Sequence, residues 1–271
     1  MRFSGADSSS FLQGQVSNDT RGLAPGRSLL CAYSSPQGRV LALLHLLPHA
    51  GDIIAILPRE LVLPTLEALR KFVLRAKVKI EDASEQLSVA GQLGTPGLDV
   101  AGLTVGAVNH DPDRSWVVGA AGDMAEHRIA GDLLQANQFE TDWRAADVRA
   151  GLPQIYLATR EAFVAQMLNL DLLDGISFTK GCYTGQEIIA RTQHLGRIKR
   201  RLYRLRLPRG DWSIGQSLRL TDGRSGRLTE VIQAGDGVEA LAVLSIGADG
   251  DTSADPAAAV AAVQLPLPYA L

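Results

Sequence analysis

Cysteine is nearly absent from this chain: 271 residues carry two, Cys31 and Cys182. Two thiols in a chain this long cannot frame a disulfide-stapled fold, and they fit a reducing compartment. Long apolar runs are absent too. A membrane-crossing helix needs roughly 18–20 such residues, whereas the longest run, residues 40–47, is interrupted by His45 and followed by Pro48. The opening residues Met1 to Asp7 lack the apolar stretch of a secretory signal. The expected location is therefore cytoplasmic. No Cys-x-x-Cys, P-loop, Gly-x-Gly-x-x-Gly or nucleophile-elbow serine pattern is present. The five histidines offer no metal-binding face, because His45 and His49 lie in strand-like surroundings broken by Pro48, and His110, His127 and His194 stand alone.

What is present describes an ordinary globular protein, 46% hydrophobic and 21% charged, with length for one large domain or two to three small ones. The net charge of −2 hides an asymmetry. Residues 188–210 hold eight basic side chains and no acid, leaving about −10 for the remainder. Two readings stand: a solvated basic strand that resists edge-to-edge aggregation, or a site for an anion such as a polyglutamate tail, a phosphate, RNA or an acidic partner. A sequence pI near 6.2 speaks against general nucleic-acid binding.

The most informative stretch is Lys180-Gly181-Cys182-Tyr183-Thr184-Gly185-Gln186-Glu187. Its cysteine lies between glycines, two residues after a lysine and five before a glutamate. A nearby cation favours the thiolate, the reactive form of the side chain. The glycines let the backbone turn sharply and let a ligand approach. The octet reads as a reactive or ligating thiol on an accessible turn rather than as a buried structural cysteine. Upstream, Trp143 and Arg144 precede Asp147-Val148-Arg149-Ala150-Gly151-Leu152-Pro153. That tryptophan is either core filler or an aromatic face for a flat heterocycle. Gln166, Asn169 and Asp171 could hold the amide-like edge of a pterin, or could satisfy irregular backbone.

Periodicity and turn signals predict a short helix from Asp7 to Gln15, strands over 29–35, 39–47 and 52–57, and a helix over 61–75. Further strands are expected over 78–80, 87–93 and 116–118, with a loop-rich stretch over 94–113. Helices are expected over 125–135, 142–149 and 186–194, with irregular chain over 175–185. Five short strands after Gly196 suggest a small barrel or sandwich. The boundary falls near 195–199, giving domains of residues 1–196 and 197–271.

The segments Gly5-Ala6-Asp7, Phe11 to Asp19, Trp143 to Pro153, Gln166 to Asp171 and Gly175 to Arg191 together resemble YgfZ-type proteins, as do Gly196 to Arg200 and the Pro266–Leu271 tail. The resemblance runs nearly end to end, and the octet carries most of its specificity. It implies an α+β fold like the glycine-cleavage T-protein, with a folate-binding core and a small C-terminal β-barrel. It further implies a folate-binding accessory protein for iron–sulphur cluster assembly or repair, with tRNA-modifying enzymes among its clients. The alternative is a folate-dependent aminomethyl transferase. Tetrahydrofolate or a derivative is the implied ligand, and an iron–sulphur cluster would be a transient cargo at Cys182, with no stable metal site. Iron–sulphur client enzymes or assembly proteins are the implied partners, with neither membrane nor direct tRNA contact.

In this reading Cys182 is the essential thiol and Lys180 lowers its pKa. Gly181, Tyr183, Gly185 and Gln186 shape the loop, while Glu187 and Arg191 fix it. Trp143, Arg149, Gln166 and Asn169 contact folate. The chain also departs from the family pattern. Residues 39–47 contain no acid, where T-proteins carry an aspartate beside the folate, and leucine cannot replace a general acid or base. Arg149 stands where those relatives hold a glutamate, and Ala165 replaces a proline. Only four residues precede the Gly-Ala-Asp motif, so the strand usual there is expected to be missing unless the start lies further upstream.

Overall fold

The structure is a computed structural model that describes residues 1–94, 102–130, 139–247 and 259–271. Its first sheet is antiparallel throughout and built around one apolar strand. The residues of β4 (Val40–His49) up to Leu47 are all buried, so neither face meets water, as expected for a run without polar alternation. The sheet order is β3-β4-β5-β1-β6, with β3 (Leu29–Ser34), β5 (Asp52–Ile56), β1 (Arg2–Ser4) and β6 (Lys79–Glu81). The strand before the Gly-Ala-Asp motif is therefore present, in a short form that pairs with two neighbours.

A second sheet has the order β2-β8-β9-β7. It joins β2 (Gly26–Arg27) in parallel to β8 (Thr104–Val108), followed by β9 (Asp111–Ala120) and β7 (Leu87–Leu93). β8 lies in the stretch expected to be loop-rich, while residues 95–101 fall outside the described residues. Helix α1 (Ser8–Gln13) is shorter than expected. Asp7 does not cap it, because its carboxylate instead accepts a bond from the Lys77 amide at 2.6 Å. Helix α2 (Arg59–Arg70) presents Leu61, Val62, Leu66 and Leu69 to the core. Helix α3 covers Ala121–Ala130, and the expected continuation to residue 135 falls outside the described residues. One turn of π-helix, Phe139–Trp143, leads into α4 (Arg144–Ala150). Helix α5 (Gln186–His194) forms where the periodicity placed it.

The C-terminal strands correct the barrel expectation. β10 (Arg200–Leu207), β11 (Ser217–Arg219), β12 (Ser225–Ala234), β13 (Gly237–Ser245) and β14 (Val263–Leu265) form one antiparallel sheet in the order β11-β12-β13-β10-β14. Its edge strands β11 and β14 do not pair, and a single bridge from Leu220 to Val260 ties the last segment to the far edge. Among the described residues the sheet is open, since its two edges stay unpaired; strand count and spacing say nothing about whether three-residue edges meet. One face, with Leu205, Leu228 and Leu244, closes a small core of its own. From the other, Leu202, Leu241 and Val243 join the main core.

Two turns meet where α5 crosses the β3–β4 hairpin. Gly185 has φ +81°, and a Cβ there would lie 2.6 Å from the Ser35 carbonyl oxygen, while at Gly38 a Cβ would meet Ile188 at 2.8 Å. Both glycines let the cysteine segment dock against the first hairpin. Gly185→Ala is therefore expected to lower stability by about 1–3 kcal/mol in urea unfolding, whereas Gly22→Ala, with open space around its Cβ, should change it by less than about 0.5 kcal/mol.

Candidate functional site

The cysteine loop is laced to the N-terminal segment by buried polar groups. Lys180 is buried, and its Nζ donates to the carbonyls of Val16 and Asn18, both at 2.7 Å. Asn18 in turn donates to the carbonyls of Leu30 and Asp174, and Ser17 Oγ donates to the Gly175 carbonyl at 2.6 Å. Burial lowers the Lys180 pKa to about 8, against the pull of Cys31 and Asp19. The Tyr183 ring lies 4.9 Å from the ammonium, and the Gln186 side-chain oxygen accepts from the Tyr183 amide at 3.1 Å. Cys182 and Gly181 are left exposed at the tip.

This geometry gives Lys180 a different task from the expected one. Its charge is engaged by backbone carbonyls, and the titratable groups that act on it are Cys31, Asp19 and Arg21 rather than Cys182. Its donors hold the base of the loop and leave the thiol in water. Glu187 and Arg191 are exposed, and among the described residues neither side chain makes a hydrogen bond or ion pair, so the expected fixing of the loop falls to Lys180, Tyr183 and Gln186.

A cavity of about 880 Å³ opens elsewhere, between the two N-terminal sheets, α4 and the start of the C-terminal segment. Its aromatic wall is Trp116 on β9 and Trp143 at the start of α4, with ring centroids 4.4 Å apart. His45, 5.2 Å from Trp116, also lines it. The His45 ring is buried and its Nδ1 has no hydrogen-bond partner among the described residues. Burial, reinforced by Arg114, lowers its pKa to about 4, so the ring is neutral.

Beneath this wall lies an enclosed charge cluster. Arg114 is buried, contacts Asp111 at 2.7 Å and Asp147 at 2.8 Å, donates to the Trp143 carbonyl at 3.2 Å, and stacks 4.6 Å from the Trp143 ring centroid. Asp147, one turn after Trp143 on α4, lines the cavity. Burial raises its pKa to about 6 even against Arg114. Arg144 pairs with the buried Glu230 of β12, which also accepts from the Tyr156 hydroxyl at 2.7 Å.

Of the four residues expected to contact folate, only Trp143 lines this cavity. Arg149 is exposed, two positions beyond Asp147 and thus on the opposite side of α4. Gln166 and Asn169 are buried beneath the C-terminal sheet. Gln166 donates to the Ile189 carbonyl at 2.7 Å, and Asn169 donates to the Leu202 carbonyl at 2.9 Å and to the Tyr269 hydroxyl. Both satisfy irregular backbone, because a segment without a ladder must find partners in side chains. No octet residue lines this cavity or a second one of about 700 Å³ beside His110 and Asp174. The thiol and the aromatic cavity are therefore separate features.

The basic stretch is partly neutralised at home. Arg201 pairs with Asp171 at 2.6 Å, Arg204 and Arg206 share Glu239, and Arg209 donates to the Asp236 carbonyl. Among the described residues no group of three or more His, Cys, Asp or Glu side chains is placed to hold a metal ion, and no helix is long and apolar enough to cross a membrane. The sequence reading missed His45, Arg114, Trp116 and Asp147 as site residues. A histidine interrupting an otherwise apolar run was the one available signal, since burial of a titratable group in such a run is costly without a purpose.

No family model matches the chain. Curated relatives do. The chain is 32% identical over 298 aligned positions to the tRNA-modifying protein YgfZ of Yersinia pestis, covering 98% of this chain and 88% of the relative. It is 31% identical, with the same coverage, to the YgfZ protein of Serratia proteamaculans. Among solved structures, the glycine cleavage system aminomethyltransferase T from Bartonella henselae has a similar fold, with TM-score 0.56 and 13% identity, over 90% of this chain and 75% of that one.

Two substitutions separate anchoring from exposure. Lys180→Met leaves two buried carbonyls unsatisfied and should cost about 1–3 kcal/mol at pH 7, whereas Cys182→Ala should stay within about 0.5 kcal/mol of wild type in urea unfolding. The lysine pKa is lower in the folded than in the unfolded chain, so the unfolded chain binds more protons between pH 8 and 10.5. Stability should therefore rise with pH across that window in wild type, and this component should vanish in Lys180→Met.

Proposed function

This chain belongs to the YgfZ family, and from that premise we propose that it is a folate-binding accessory protein for the assembly or repair of iron–sulphur clusters in client enzymes, including enzymes that modify tRNA. The observation that carries the folate half is the 880 Å³ cavity walled by Trp116 and Trp143, with the unpartnered nitrogen of His45 at its lining. A flat, hydrogen-bonding heterocycle suits such a place, since aromatic faces stack on it and buried polar atoms await partners. The pterin would lie along the wall that Trp116 and Trp143 form together, with Asp147 and His45 as the polar groups within the same wall. Folate, when bound, supplies a carrier for one-carbon units.

The thiol half rests on exposure. Cys182 stands in water on a loop whose base is pinned from below, which suits brief contact with a partner rather than storage. Stable clusters usually take four protein ligands, so one cysteine would share its cargo with the client or with an assembly protein. Nothing on β4 supplies the acid that aminomethyl transfer would use, since its residues 40–47 are buried and carry no carboxylate.

Two measurements divide the reading. Tetrahydrofolate should quench tryptophan fluorescence, and the quench should persist in Trp212→Phe but fall by at least about half in Trp143→Phe, because stacking requires proximity to the ring. An equal quench in both variants would remove Trp143 from the site. Cys182→Ala should keep its folate affinity yet fail to restore tRNA thiolation in cells lacking the native protein, and full restoration would defeat the thiol role.

A further inference from the structure

We propose that the outer face of α5, with the cysteine loop beside it and the connector that follows it, is a docking surface for an acidic protein segment that carries apolar side chains among its carboxylates. The proposal rests on the thiol half of the reading above and deepens it by naming the chemistry of the partner that meets Cys182.

The fold divides the basic stretch in two. From residue 175 to residue 210 the chain holds one acid, Glu187, and nine lysines and arginines. Lys180 turns inward onto two carbonyls. Arg201, Arg204, Arg206 and Arg209 are taken up by Asp171, Glu239 and the Asp236 carbonyl. The four that remain are Arg191 on α5, and Arg197, Lys199 and Arg200 where the chain leaves that helix for β10. Arg191, Arg197 and Lys199 are exposed, and among the described residues none of the four side chains makes a hydrogen bond or ion pair. Protection of a sheet edge does not account for them, because β10 is paired on both sides.

Two large apolar side chains stand beside these cations. Leu195, at the end of α5, is 85% exposed, and Phe178 is 40% exposed. The Phe178 ring meets the His194 ring edge-on, with centroids 6.2 Å apart. The cysteine loop therefore touches the last turn of the helix at Phe178 and enters its first turn at Gln186. Between those points Glu187, Arg191 and His194 are exposed on one side of the helix, while Ile189 is buried on the other. Nine helical residues rise about 14 Å, so thiol, cations and apolar side chains form one strip that a partner's loop or short helix can cover.

This combination selects a protein over a nucleic acid. Phosphates would satisfy the cations but offer Leu195 nothing apolar to bury against. Carboxylates interleaved with apolar side chains satisfy both. The remainder of the chain carries about −10 and repels a long polyanion, whereas a short acidic segment meets only the cationic strip. Charge steers the encounter, and the apolar contact then holds the partner beside Cys182.

The test uses the full chain and a fluorescein-labelled peptide in which leucine and phenylalanine alternate with pairs of glutamates, followed by fluorescence anisotropy. Binding to wild type should weaken about fivefold as salt rises from about 0.05 M to about 0.3 M. It should be at least about tenfold weaker for the same peptide with lysines in place of the glutamates. Neither comparison needs a variant to fold. Arg191→Glu combined with Arg197→Glu should weaken binding about tenfold, and Leu195→Ser about fivefold, each with a urea midpoint close to that of wild type. Cys182→Ser should bind the peptide as wild type does, because docking does not use the sulphur. Absence of binding to wild type, equal affinity for the lysine peptide, or tighter binding of an oligouridylate than of the glutamate peptide overturns the proposal and leaves the thiol reading standing. Full restoration of tRNA thiolation by Cys182→Ala overturns the thiol reading instead, while the peptide affinities still decide the surface.

Discussion

One buried guanidinium organises the centre of this molecule. Arg114 lies where three elements converge: its contacts with Asp147 on α4 and with both the carbonyl and the ring of Trp143 fix two residues of the cavity lining, and Asp111 at its own hairpin completes its pairing. Taking a charge out of water is expensive unless partners surround it, so the two carboxylates and the carbonyl are conditions of its burial rather than embellishments. Burial keeps the His45 ring neutral, and the field of the same cation reinforces it. Aromatic wall, acid and imidazole are thus gathered around one cation.

How far the sequence disclosed this depends on the distance over which each feature is determined. Local periodicity placed the β3–β4 hairpin and α5 closely, because their apolar spacing and turn residues lie within a dozen positions. The octet announced an exposed thiol, and Cys182 is exposed. Edge pairing in the C-terminal sheet was not legible, since strand spacing does not encode whether β11 reaches β14. Nor could spacing show that Lys180 bends inward to carbonyls 164 and 162 positions away. Arg114 sits beside a stretch that reads as loop, and its decisive partner is 33 residues on along the chain. Gln166 and Asn169 were legible only as alternatives, and the structure gives both to backbone.

The separation of thiol and cavity changes how the molecule is to be pictured. A single pocket holding both would need the loop to face inward, and the buried lysine forbids that by pinning the loop's base from beneath. The N-terminal segment at Val16–Asn18 is the shared support. It carries the carbonyls that hold Lys180, and its bridge from Val16 to Tyr33 joins it to β3, the strand next to the one that bears His45. Two chemical stations are therefore mounted on one rigid sheet, facing different solvents: bulk water for the sulphur, a half-dry recess for the tryptophans.

The clasp between Arg144 and Glu230 has a mechanical consequence. Arg144 belongs to the helix that floors the recess, and Glu230 belongs to the C-terminal sheet, with Tyr156 bonded to the same carboxylate from a third segment. Removing one partner from an enclosed pair of this kind costs about 3–5 kcal/mol, so the sheet cannot tilt independently of the helix. Any push on the outer rim of that sheet is delivered, as by a crankshaft, to the spot where a vitamin would rest.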